Sequence, residues 1–398
     1  MGALGQISWL RMVPVAVAGL LVAAALLGLQ FVRLAHNQLG SGPTAPFVVG
    51  TSWHLDEELA ARHIHVAVTP GNGYDGQWFL GLGYDPLLRQ GLAAGFDMPR
   101  YRARRPLFPL LGWVLAAGQP GAIPVALLTV ELLAAALGCA AVGRLLTSYT
   151  LPRWWGVGFV LIPGVAVGVI FGTAEPLGLA LAALGLCLAL EQRIGAAALA
   201  FAGAGLTKET YLGFAAAAAL WLLFRPEAEG PRRVRARVRA ALALVVPGAV
   251  VLALWWWYVA WRVPASPSDL AGEQLFALPP TGWVHTLARI VSGRYLPDAP
   301  VGPGGAALLV GTFVLLLVAV VAGLRGGNRN RTLAGWTGLL MGVYGLALTG
   351  GLLDRFLSAS RALAPSVLAA GLALAAGLAA APVAKRARRC DSGKVSRG

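Results

Sequence analysis

The chain has 398 residues, 57% of them apolar and only 12% charged, with a mean hydropathy of +0.69, a balance outside the range of water-soluble globular proteins. The formal net charge of +15 does not make nucleic acid a partner, because the basic residues stand in short runs between apolar segments rather than along one soluble face. Cys139, Cys187 and Cys390 have no paired spacing, so neither a disulfide framework nor a zinc site is implied.

An all-α, polytopic membrane protein is expected. The first apolar run, Val13 to Val32, has the length of about 20 residues that crosses a hydrocarbon core. Nothing like a small-x-small cleavage site follows it, so it reads as an uncleaved anchor. A polar loop, residues 33–105, comes next. Pro106 to Ala117 is apolar but too short to span as a helix, and is expected to lie in the membrane surface or re-enter it. Further spans are expected at 122–143, 154–172, 176–190, 194–206, 210–224, 240–261, 304–324, 332–350 and 362–382, about ten with the anchor. Residues 1–382 then form one transmembrane domain, with a basic tail at 383–398 whose last fourteen residues read as disordered.

Orientation follows from Lys and Arg placement. With both termini cytoplasmic, 19 of the 32 basic residues fall on the inner side, including six arginines within residues 225–239. Counting Pro106 to Ala117 as a full span would turn that arginine run outward. The 33–105 loop, Glu175, Lys208 with Glu209, residues 262–303 and Arg361 are then expected on one extracytoplasmic face.

The candidate chemistry centres on residues 70–109, PGNGYDGQWFLGLGYDPLLRQGLAAGFDMPRYRARRPLFP. Asp75 stands between glycines that give the backbone freedom to place a carboxylate, and Arg100, Arg102, Arg104 and Arg105 follow beside an apolar segment. Ionisable groups near the membrane are functional candidates by default, which adds Glu175, Lys208, Glu209 and Arg361. Each has a plain alternative. Asp75 could close an Asx turn, Glu175 could favour a helix N-terminus before Pro176, Lys208 and Glu209 could be solvated charge in a helix hairpin, and Arg361 could snorkel to headgroups. The arginine series could serve membrane-surface attraction. His63 and His65 lack a third metal ligand, and Glu131 is expected to be hydrogen-bonded inside the bundle or to face a cavity.

The strings YDGQWFLGLGYDP and FDMPRYRARRPLFPLLGWVLA resemble the signature of bacterial multi-pass proteins of cell-surface glycopolymer formation. More distantly they resemble the C-type membrane glycosyltransferases, including the GPI mannosyltransferases. The likeness extends to GTAEPLGLAL and AGLTKETYLGF and is specific over about residues 70–225. It departs at Trp78-Phe79, where those proteins carry Phe-Tyr or Tyr-Tyr, so that a hydroxyl for the sugar is missing.

The resemblance implies a C-type helical bundle in the bacterial inner membrane. Its activity would be inverting transfer of a sugar from a polyprenyl-phosphate carrier to a glycan or lipid acceptor. Asp75 is then the general base, with Glu175 a second candidate or a metal partner. Gln77, Trp78, Arg100, Arg102, Arg104, Arg105, Lys208, Glu209 and Arg361 hold substrate, the arginines gripping the phosphate. No cofactor is firmly required, and a divalent metal stays open. Partners are the lipid-linked sugar, its acceptor and membrane lipids. The rival readings are a flippase for lipid-linked glycan and a non-catalytic partner in glycopolymer assembly.

Overall fold

A computed structural model describes residues 9–37, 42–224, 231–272, 275–293, 302–329, 332–353 and 356–392. Among them the chain is nearly all helical. The apolar helix α1 (Val13–His36) leads into a segment whose two short strands, β1 (Val49–Gly50) and β2 (Val68–Thr69), pair in parallel with Val49 opposite Val68. Helix α2 (Leu55–Ala60) lies between the strands. Then follow α3 (Gly76–Tyr84), α4 (Pro99–Ala103) and α5 (Leu107–Leu115). Nine residues of helix reach roughly 14 Å, so α5 is as short as the sequence indicated.

The bundle proper contains α6 (Ile123–Ser148), α7 (Pro163–Phe171), α8 (Glu175–Leu190), α9 (Ile194–Thr207), α10 (Leu212–Phe224) and α11 (Pro231–Arg262). After them come α12 (Thr281–Val291), α13 (Gly302–Arg329), α14 (Leu333–Leu346), α15 (Gly350–Leu353) and α16 (Phe356–Ser392).

By length and composition, Trp9–His36, Pro120–Ser148, Arg233–Arg262, Gly304–Ala322 and Leu357–Gly377 can each cross a membrane. A sixth span exists if the bent pair Arg153–Phe159 and Pro163–Phe171 is counted as one, and four apolar helices are shorter. The expected span at 154–172 is not one straight helix but two pieces meeting at 57°. Pro163 explains the break, because it holds Ile162 in an extended conformation, with ψ 122°. The terminal helix also differs from expectation. α16 starts before Arg361 and runs through part of the tail that was expected to be disordered, while 393–398 lie outside the described residues.

α1 packs on α6, α6 on α8, α8 on α9, and α9 on α11, while α14 bridges α10, α13 and α16. Alanine and glycine dominate these seams, which lets the backbones approach closely. On α11, Val246, Val250, Leu254, Trp257 and Trp261 form an exposed stripe at helical spacing. Such a stripe would be a liability in water and is expected against lipid. Its opposite face grips the first loop. Trp255 Nε1 donates to the Ala103 carbonyl at 2.9 Å, the Tyr258 hydroxyl to Leu87 at 2.6 Å, and the Arg262 guanidinium to Leu88 at 2.9 Å.

Two close approaches position the loop end of the bundle. A Cβ at Gly76 would collide with the backbone carbonyl of Phe171, at the end of α7. At Gly164 it would collide with the Ser360 carbonyl and with Arg361 of α16. Neither obstacle is a flexible side chain, so a methyl group forces the elements apart. Gly76→Ala is expected to destabilise the protein by about 1–3 kcal/mol, the usual cost of overpacking. Gly95→Ala meets nothing within 4 Å and should be near neutral. Thermal unfolding of the two variants in detergent checks this.

Candidate functional site

The residues after β2 form a tight loop that delivers Asp75 to the start of α3. Asp75 occupies the N-cap position, yet its side chain makes no cap hydrogen bond. It turns away instead, and its Oδ2 meets Arg102 at 3.0 Å and Arg361 at 2.6 Å. The Asx-turn alternative therefore does not describe it. α4 is only one turn long and has no capping side chain of its own. Asp269, far along the chain, caps it by accepting from the Arg100 and Tyr101 amides at 3.0 and 3.2 Å. With α4 fixed, Arg102 forms a bidentate pair with Asp97, Nε to Oδ1 at 2.9 Å and Nη2 to Oδ2 at 2.8 Å. Arg105 reaches Glu209 at 3.3 Å and the Tyr101 hydroxyl at 2.8 Å.

From the bundle, Glu175 opens α8 and is 2% exposed. It accepts from Thr173, and pairs with Arg361 at 3.0 Å and Lys208 at 3.3 Å. Lys208 lies between α9 and α10 with its side chain only 12% exposed, so it is not a solvated hairpin charge. Arg361 likewise points inward, with its guanidinium 5.5 Å from the centre of the Tyr74 ring, and does not snorkel. These side chains surround a cavity of about 300 Å³. One side of it is charged. The other is formed by Leu275, Leu348, Leu352 and Ala362, with the rings of Tyr101 and Tyr344 at the edge.

Of the sequence candidates, Asp75, Arg102, Arg105, Glu175, Lys208, Glu209 and Arg361 line this cavity. The others stand elsewhere. Gln77 is buried and ties the loop together, accepting from the Gly50 amide at 3.0 Å and donating to the Asn72 carbonyl at 2.8 Å. Trp78 is buried between Trp53 and Phe96, with ring centres 6.2 and 5.0 Å away. Arg100 donates to the Val263 and Ala260 carbonyls at the end of α11, and Arg104 lies over the Trp256 ring at 4.9 Å. Glu131 is neither hydrogen-bonded nor on the cavity wall. It is 0% exposed, and both carboxylate oxygens lack a partner.

Asp97, Tyr101 and Tyr344 were missed as site residues. Asp97 stands just before α4 and Tyr101 within it, and a helical reading of PRYRA with its preceding acid would have drawn attention to both. Nothing local to Tyr344 marks it. Among the described residues, no group of three or more His, Cys, Asp or Glu side chains is arranged to hold a metal. No family model, curated protein or solved structure matches the chain.

The electrostatics of the cluster are dominated by pairing. Burial would raise the proton affinity of Asp75, but the Arg102 and Arg361 guanidinium groups hold its carboxyl well below the usual carboxylate range. Burial pulls Lys208 below its ordinary value, against the raising effect of Glu175. It also pushes the Tyr74 hydroxyl up to about 12.

A depressed folded-state value means that the Asp75 contribution to stability is fully present above the unfolded value of about 3.9. It is lost as pH falls through the folded value. Asp75→Asn is therefore expected to be less stable than the unsubstituted protein at pH 7, with the gap narrowing below about pH 4. Melting temperatures in detergent across pH 7 to 3 measure that gap, and a constant gap would contradict the pairing.

Proposed function

We propose that the protein is a C-type, inverting membrane glycosyltransferase that takes a sugar from a polyprenyl-phosphate carrier at the extracytoplasmic end of the bundle. The observation that carries this reading is the cavity itself. Among the described residues it joins four cations, four carboxylates and two tyrosine rings to an apolar wall, as a substrate with a sugar, a phosphate and a hydrocarbon tail requires. Grouping the bent pair as one span and adding the four shorter apolar helices gives ten crossings. With the arginine-rich start of α11 inside, the cavity then faces outward.

In this reading the phosphate sits against Arg102, Arg105 and Arg361, whose forked donors offset the charge that develops as it leaves. The tail lies along Leu275, Leu348 and Leu352. Tyr101 and Tyr344, rather than the buried Trp78, face the sugar. Asp75 takes the proton of the acceptor hydroxyl, and Glu175 holds Arg361 and Lys208 in place. A flippase would need its ionisable groups near mid-membrane, whereas the paired charges here gather at one end.

Transfer of labelled sugar from a polyprenyl-phosphate donor, by protein in liposomes with extracted envelope acceptors, tests the proposal. Asp75→Asn is expected to lower turnover by about 10² to 10⁴-fold, the usual worth of a positioned base. Arg102→Lys and Arg361→Lys keep the charge but lose the planar fork, so the donor KM should rise. Full transfer by Asp75→Asn would remove the catalytic assignment, and donor movement across the bilayer without transfer would favour the flippase.

A further inference from the structure

Among the described residues, the charges that line the cavity cancel. Arg102, Arg105, Lys208 and Arg361 are each paired with one or two of Asp75, Asp97, Glu175 and Glu209. A neutral cluster has little net attraction for a singly charged phosphodiester unless one of its own carboxylates gives way. Asp75 is the one placed to do so. Its side chain is 30% exposed, compared with 24% for Glu209, 17% for Asp97 and 2% for Glu175.

The geometry at Asp75 is that of an anion being held by a fork. Two guanidinium groups from distant parts of the chain converge on a single oxygen, Oδ2, as they would on one phosphoryl oxygen. Arg361, although its side chain is only 7% exposed, also has its Nε without a partner. A phosphodiester brings two charged oxygens, so that one can take the place of Oδ2 while the other is available to that donor. Asp75 does not cap α3, so releasing it undoes nothing in its own helix.

We propose that Asp75 is an internal competitor for the donor phosphate: a singly charged phosphodiester displaces its Oδ2 from Arg102 and Arg361, and the displaced carboxylate becomes the base. This rests on the reading of the cavity as the donor site. While clamped by two cations, the carboxylate is a poor proton acceptor. After exchange it loses both and gains an anionic neighbour, and each change raises its proton affinity. Other charges facing it are Glu175 on α8, Lys208 after α9 and Asp97 before α4, and Tyr74 lies beside it.

The transfer step then balances. The acceptor O–H bond breaks and its proton goes to Asp75, while the acceptor oxygen bonds to the anomeric carbon. The bond from that carbon to the phosphate oxygen breaks, leaving the electron pair on a phosphate that the arginines already hold. One exchange thus binds the leaving group and readies the base.

Carbodiimide labelling of the unsubstituted protein, read at Asp75 by mass spectrometry, tests the exchange directly. Dibutyl phosphate should increase labelling, because the carboxyl is released to react, and protection of Asp75 would overturn the proposal. In a second arm, Asp75→Asn should bind dibutyl phosphate about tenfold or more tightly, the worth of a charge-assisted hydrogen bond that no longer has to be broken. Unchanged or weaker binding would overturn it, as would equal tightening in Glu209→Gln, which reports only the loss of a negative charge.

Tightening for dibutyl phosphate and polyprenyl phosphate but not inorganic phosphate supports exchange with a lipid headgroup as its source. Tightening for all three supports exchange with free phosphate as well. Exchange without sugar transfer would leave this proposal standing and remove the glycosyltransferase reading. Transfer without exchange would do the reverse.

Discussion

A carboxylate and a guanidinium taken out of water cost several kcal/mol each unless they meet and are hydrogen-bonded. In a chain that is 57% apolar, that requirement decides where the loop and the helices come together. Arg361, on the last helix, pairs with Asp75 of the first loop and with Glu175 at the start of α8. Lys208 closes on the same Glu175 from the break between α9 and α10. Four remote stretches of sequence are therefore held at one end of the bundle. Gly164 and Gly76 supply the close approaches that make it sterically possible.

The loop is held to this cluster from behind. Asp269 gives α4 the cap that its own sequence lacks, and the inner face of α11 grips the carbonyls of Leu87, Leu88 and Ala103. Arg102 and Arg105 are thereby aimed at the cavity while Arg100 and Arg104 are spent on anchoring. The outcome is a polar pocket whose charges are mutually satisfied and whose opposite wall is hydrocarbon.

Much of this was legible in the sequence, for physical reasons that differ by element. Ionisable residues in apolar surroundings are costly, so Asp75, Glu175, Lys208 and Arg361 could be picked out one by one, and they do meet. Their pairing could not be read, because residues 75 and 361 share no local pattern. The sorting of the arginines was available and missed. Arg100 and Arg102 lie two apart on α4, about 200° around a helix and so on different faces, while Arg104 caps the end of that helix and Arg105 follows it. A reading of 99–105 as loop erased that periodicity. Gln77 and Trp78 were assigned to substrate from a motif likeness, which says nothing about direction, and α3 turns both toward the loop core. The break at Pro163 was signalled by the proline itself but overridden by the length of the apolar run.

The most direct measurement is an experimental structure of the protein in lipid with polyprenyl phosphate bound. The expected result is a phosphate within hydrogen-bonding distance of Arg102 and Arg361, Asp75 turned off both, and the first isoprene units along Leu275, Leu348 and Leu352. A phosphate bound at the arginine-rich start of α11, with the Asp75 to Arg361 pair intact and the cavity empty, would contradict the assignment of the site.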